Sequence, residues 1–451
     1  MQVLPRVLKL NRKLHNQIMA GQEKNIVIIG GGIIGCSTAY FLTRHPKYDR
    51  TRHNITVLES TKIAGGASGK AGGLLALWAY PSQIVPLSYR THKELADEHG
   101  GAERWGYRAV HCGEIDCHGR NLKAKDSVKG KDGEMNDKHG NAMNGEKDPS
   151  SSVSLQKRSK QALGKLRAAG VPDDMDWVAA ECIGGYEEMG DPTTTAQVHP
   201  YHFTTSMAEL AKEAGADIKV GAQVKEIKYS DDGTTVTGIA YQDKNDNGKE
   251  ITLPATDVVV SAGPWSSKVY PPAPISALRA HSVTIRPTRP VSAYALFTQI
   301  RLPAGFGQTN ESQRSKNRSQ ETVSPEIYAR QTEVYACGEG DRLVPLPAST
   351  DVVQVDERRC QDVVDYVSSI SDELRDGEVT ARQACYLPNV TKGSGHPLIG
   401  PTKTKGLFLC TGHTCWGIQN GPGSGKLMSE FVFDGEAKSA NVKALDPRLI
   451  L

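Results

Sequence analysis

The stretch Asn25–Gly35, which reads Asn-Ile-Val-Ile-Ile-Gly-Gly-Gly-Ile-Ile-Gly, leaves the chain few choices of fold. Ile26–Ile29 predict a buried strand that runs straight into Gly30-x-Gly32-x-x-Gly35. A segment of helical character follows, from Cys36 to Arg44. Strand, glycine turn and helix in that order are the setting a dinucleotide-binding turn requires. Gly30 permits the tight turn, Gly32 lets backbone approach a pyrophosphate, and Gly35 lets helix pack closely on strand. Ile33 and Ile34 then open a helix whose N-terminus presents unpaired amides and a positive dipole end. An acid at the end of the next strand completes the pattern by holding ribose hydroxyls, and Ile55-Thr56-Val57-Leu58-Glu59 supplies Glu59. Glycine turns alone are common; the five features together are specific.

At 451 residues the chain is long for one core, so two or three lobes are expected. A net charge of +3 is too small to argue for a nucleic-acid or membrane partner. No apolar run approaches the ~20 residues of a membrane helix. The nine cysteines are scattered and contain no Cys-x-x-Cys, which argues against a disulfide framework or a zinc pair and for a reducing compartment. Met1–Lys24 is basic and acid-poor with helix-spaced apolar residues. It reads as a solvated N-terminal extension, with a mitochondrial transit peptide as the alternative.

After Glu59 comes Gly65–Gly73, five glycines in nine positions, followed at once by apolar Leu74–Trp78. Residues this small can lie flat against a large planar ligand. Pro86–Gly100 predicts a helix. Val110–His118 holds Cys-x4-Cys between His111 and His118, but it alternates like a strand and has no second ligand cluster, so a strand and no metal are expected. Gly119–Ser154 lacks Phe, Trp and Tyr and cannot offset chain entropy by burial, so it reads as a polar insertion, with Gly307–Ser324 a shorter one. Ser150–Ser152 offer modification sites there. Tyr201–Ala214 predicts a helix, and Ile218–Leu253 a β-meander with turns at Asp231–Gly233 and Asn245–Gly248. Asp257–Val260 predicts a buried strand, Pro271–Gly305 strands of a second sheet, and Asp356–Leu374 a helix. Gly406–Cys410 is a last buried strand leading through Gly412–Gly417 to a helix from Pro422 to Phe433.

The glycine fingerprint, the glycine loop after Glu59, the Val258–Gly263 strand and the Gly412–Gly425 segment occur in a fixed order. Together they resemble the D-amino-acid-oxidase-type (DAO) family of FAD-dependent oxidoreductases, and the wording of Ala67–Gly73 and His413–Lys426 is most like a fungal subgroup of oxidoreductases without a settled substrate. The resemblance covers Asn25–Asp434 apart from the insertions. It implies an α/β chain: a glutathione-reductase-like FAD-binding Rossmann domain (25–80, 201–265 and 400–451) and an α+β substrate lobe built on an antiparallel sheet (81–200 and 266–399).

The resemblance also implies site residues. Gly30, Gly32 and Gly35 match the turn under the FAD pyrophosphate, Glu59 the adenosine-ribose acid, and Ser68, Gly69 and Gly72 the loop beside the flavin. Val224 matches the residue whose backbone meets adenine, and Ala262 and Gly263 a second turn against the cofactor. Gly412, Gly417, Ile418 and Gln419 match the loop facing the pyrimidine end of the isoalloxazine, where amides ahead of a helix start stabilise negative charge. Cys385 matches a cysteine that carries the flavin covalently in sarcosine-oxidase-like members; a buried, inert thiol with FAD bound non-covalently is the expectation here. Amino-acid-oxidising members clamp the substrate carboxylate with Arg or Tyr where this chain has Leu387, although Arg382 is nearby. Arg382, His413 and Lys70 are the candidate catalytic side chains, with His199 and Trp416 candidates for lining the pocket.

The function expected is therefore hydride removal from a C–N bond of a small amine or amino acid, with O2 as acceptor. A flavin carries the hard chemistry, which accounts for the lack of a Ser/His/Asp or paired-carboxylate site. The alternatives are an FAD-containing interaction or trafficking factor with little catalysis, its protein partners held by the insertions, and an NAD(P)-dependent reductase, against which stand the single clear fingerprint and a C-terminal segment that fits flavin better. Besides a small-molecule substrate, no nucleic acid and no transmembrane segment are expected. A cytoplasmic location is expected, with peripheral attachment to endosomal membranes or mitochondrial import as alternatives.

Overall fold

The structure, a computed structural model, describes residues 23–122, 168–306 and 321–451. Residues 1–22 of the basic extension, Ser150–Ser152, and most of both polar insertions lie outside the described residues.

Among the described residues, six strands form one sheet in the order Leu398–Pro401, Leu407–Thr411, Asp257–Val260, Lys24–Ile29, His53–Glu59 and Asp217–Val220. The pairs are parallel except at the Leu398–Pro401 edge. The central strand is covered on both faces, so its apolar run is unbroken. Ile26 and Ile28 pack with the helices Ile33–Thr43, Val85–His99, Pro200–Glu213 and Gly417–Asp434. Val27 and Ile29 pack against the antiparallel meander Ala222–Tyr229, Val236–Asp243 and Lys249–Pro254. Helix Val85–His99, expected in the second lobe, thus shares the first lobe's core.

A second sheet runs Glu378–Val390, Ile275–Arg286, Val334–Cys337, Glu326–Ala329, Tyr294–Arg301, His111–His118, Ile183–Gly190. It is antiparallel apart from the pair Tyr294–Arg301 and His111–His118. Helix Glu357–Ser368 fills one face through Cys360, Val363 and Val367. The opposite face carries Tyr328 and Tyr335 and meets Trp416. The Cys-x4-Cys segment is a strand of this sheet, and among the described residues no group of three or more His, Cys, Asp or Glu could hold a metal ion.

The last helix departs from expectation. It begins at Gly417, with Pro422 inside it. Proline has no N–H for the carbonyl four residues back, here that of Ile418. His92 supplies the missing contact: its Nε2 lies 3.0 Å from the Ile418 carbonyl oxygen and 3.2 Å from that of Gln419. Burial lowers the His92 pKa to about 4 despite those contacts, so the ring is neutral and donates from Nε2.

Candidate functional site

One cavity opens where the first sheet's strands end. Its floor is the glycine turn: Gly30, Gly32, Ile33 and Ile34 all line it, and the first-turn amides of Ile33–Thr43 are the orphan donors of any helix start. Ser68, also in the lining, caps that start, its Oγ accepting from the Ile33 amide at 2.9 Å. Glu59 closes one end beside Val224. Ala262 and Gly263 form a wall, and Gly412, His413, Gly417 and Ile418 form the far end with Leu387. A Cβ on Gly30 would stand 2.6 Å from the Ser261 carbonyl oxygen, so the turn admits no side chain there. Gly263 faces open space at φ +52°.

Other expected residues act from behind the lining. Gly35 packs so tightly that a Cβ would lie 2.0 Å from the Gly30 carbonyl oxygen, and one on Gly69 would lie 2.2 Å from that of Ala64. Gly72 sits on the Tyr328 ring, 2.0 Å from an added Cβ. Gln419 is buried and holds Leu74–Ala76 in place, its Oε1 accepting from the Ala76 amide at 2.9 Å. Arg382 is turned away: its Nη2 donates to Gln361 Oε1 at 2.6 Å, on the far-side helix Glu357–Ser368. Arg382 therefore does not stand in for a carboxylate clamp, and Leu387 occupies the lining.

The remaining polar groups are held neutral or tied down. His413 is buried, burial drives its pKa down to about 3, and its Nε2 pairs with Ser424 Oγ at 2.9 Å. A neutral imidazole there is no proton shuttle near pH 7. Lys70 donates to the Ala384 carbonyl at 2.8 Å, and burial lowers its pKa. The Cys385 thiol is pushed up to about 11 by burial, with Lys70 pulling the other way. His199 lies 3.4 Å from Glu333 and outside the cavity lining.

Two contributors escaped sequence reasoning. Arg330, fully enclosed, donates to the Gly72 carbonyl at 3.2 Å and pairs with Glu333 at 2.6 Å, which ties the glycine loop to the second sheet. Thr350 reaches Thr61 at 2.5 Å, and Thr61 donates through its amide to Glu59 Oε1 at 2.8 Å. Both come from segments with no motif.

A large ligand of dinucleotide type fits this cavity on two observations. The glycine cradle is closed to side chains at Gly30 and open at Gly263. At the other end His413 Nδ1, from a lining residue, is buried without a partner among the described residues. Residues 25–431 match the model of a family described as "FAD dependent oxidoreductase". The chain is 36% identical to "Putative oxidoreductase TDA3" of Saccharomyces cerevisiae, over 95% of each chain. It is 33% identical to a Schizosaccharomyces pombe protein named in the same terms, over 94% of this chain and 98% of that one. Among solved structures, glycine oxidase from Bacillus cereus superposes with a TM-score of 0.62 at 19% identity, covering 92% of this chain and 96% of the other.

Proposed function

The chain belongs to the DAO family of FAD-dependent oxidoreductases, and we propose that it oxidises a C–N bond of a small amine or amino acid, with O2 as final acceptor. The observation that carries this reading is the convergence of the Gly30 turn and the Gly412 segment on one cavity, with Leu387 of the second sheet also in its lining.

In this proposal the Ile34 amide and the helix dipole, with Ser68 capping the Ile33 amide, would hold the pyrophosphate, and Glu59 would accept from the adenosine ribose. Thr414 and the start of helix Gly417–Asp434 face the pyrimidine edge, where amides and dipole favour negative charge. Bound FAD supplies the two-electron acceptor; the chain's own residues bind, orient and exclude water. Lys70, Cys385 and His413 serve as positioning groups, given the neutral or hydrogen-bonded states described above.

Leu387 and the outward Arg382 favour a substrate without a carboxylate, and they also keep the interaction-factor alternative testable. The deciding experiment is anaerobic mixing of the yellow holoprotein with a panel of amines and amino acids. Bleaching of the flavin bands by any member supports catalysis. Persistent colour with every member, in protein that dithionite reduces normally, would sink it.

A further inference from the structure

Glu326 begins a strand of the second sheet, behind the cavity lining, and register puts it on the sheet face that Leu387 shares. It pairs with Cys337, Cys337 with Ser282, and Ser282 with Gln383. Leu387, four residues beyond Gln383 on the same strand, shares that face because side chains alternate with period two. Leu387 lines the cavity, and so does Cys415, whose thiol feels the Glu326 charge.

The surroundings of this carboxylate are unusual. Its Oε2 accepts from the Tyr328 hydroxyl and, at 3.9 Å, from Cys337 Sγ. Among the described residues it has no lysine, arginine or histidine partner; its neighbours are neutral donors and rings. Phe297 pairs with it across the strands and packs against Tyr328 at 6.2 Å between ring centroids. Trp78 stands edge-on to Phe297 at 6.0 Å and to Trp416 at 5.5 Å. Trp78 is 38% exposed and forms the solvent-facing edge of the cluster. Burial raises the Glu326 pKa while Tyr328 and Cys337 oppose the shift.

We propose that Glu326, with Phe297, Trp78 and Trp416, forms the recognition site for the positively charged nitrogen of an amine substrate that bears no carboxylate. A partly buried acid without a cation pays a desolvation penalty that an incoming ammonium relieves. The rings of the adjoining cluster add an attraction for the same charge. A substrate carboxylate would meet Glu326 instead of an arginine, so α-amino acids are disfavoured. This rests on the amine-oxidising reading above and narrows its substrate class.

The test uses purified holoprotein under anaerobic conditions and three probes with one ring and different charge: benzylamine, benzyl alcohol and benzoate. Binding is read by perturbation of the flavin bands and, independently, by tryptophan fluorescence. Benzylamine is expected to bind at least about tenfold tighter than benzyl alcohol, with benzoate weakest. Glu326→Gln should remove that preference, and Glu326→Asp should restore part of it. Benzoate binding as tightly as benzylamine, or an unchanged preference in folded, yellow Glu326→Gln, overturns the proposal. Should Glu326→Gln fail to fold, the order of the three probes on the natural protein decides alone. Colourless protein would defeat the cofactor reading instead, and fluorescence would still report the charge preference.

Discussion

The amide of Gly31 donates to Glu59 Oε2 at 2.8 Å, so the end of the second strand is tied to the glycine turn by the carboxylate assigned to ribose. Glu59 Oε1 is in turn held by the Thr61 amide at 2.8 Å. Glu59→Ala is expected to weaken FAD binding by about 10- to 100-fold, a loss typical of hydrogen bonds to a charged group. Titration of apoprotein by flavin fluorescence checks it. An unchanged affinity would leave Glu59 as a turn brace only.

Gly35→Ala and Gly72→Ala should each prevent a stable holoprotein. The added Cβ at Gly35 meets backbone and that at Gly72 meets the buried Tyr328 ring, both at 2.0 Å. Overpacking against groups that cannot rotate away costs about 3 kcal/mol or more. Urea unfolding midpoints and flavin content of purified variants measure the effect, and wild-type values for either would contradict the packing.

His92→Leu should cost about 1–3 kcal/mol by leaving the Ile418 carbonyl without a donor next to Pro422. The pH dependence has a definite sign. His92 and His413 have folded pKa values of about 4 and about 3, below the ordinary 6.5. The unfolded chain therefore binds more protons, and stability from these groups, full above pH ~6.5, falls as the pH drops towards those folded values. Denaturant midpoints between pH 4 and 8 should rise with pH, and the slope should be smaller in His92→Leu.

Glu333 sets a more acidic limb. Burial alone would raise its pKa, but hydrogen bonds from His199 and Arg330 outweigh it and hold the carboxyl at about 2. Its contribution is full above the ordinary 4.5 and is lost as pH falls towards 2. Arg330→Met should flatten this limb and loosen the Gly72 loop, read as faster flavin loss during gel filtration at pH 7.

FAD should be released from denatured protein. With its thiol pushed up to about 11, Cys385 is not a thiolate near neutral pH and is a poor nucleophile towards the ring. Acid precipitation should leave a yellow supernatant, and Cys385→Ser should carry as much flavin as the natural protein. A yellow pellet would establish a covalent bond.

Much of the first lobe was legible because local physics dictates it. An apolar run buried on both faces, a glycine turn and a helix start depend on neighbours a few residues apart, and Gly30, Gly32, Ile33 and Ile34 line the cavity. The DAO membership was equally readable, since four motifs in fixed order survive any arrangement of the loops between them. The final helix start was misread because Pro422 is a helix opener by local preference. Only a side chain more than three hundred residues away along the chain, His92, lets it sit inside.

By itself, then, the sequence determined the FAD-type turn, the alternating strands of the second sheet and the family. The tertiary structure alone decided which polar groups face the cavity. Arg382 and Leu387 lie on one strand five residues apart, so alternation sends their side chains to opposite faces, and only the packing of helix Glu357–Ser368 says which face is covered. Glu326, Arg330 and Thr350 carry no motif, because their roles arise from partners brought together by folding and from burial that removes water.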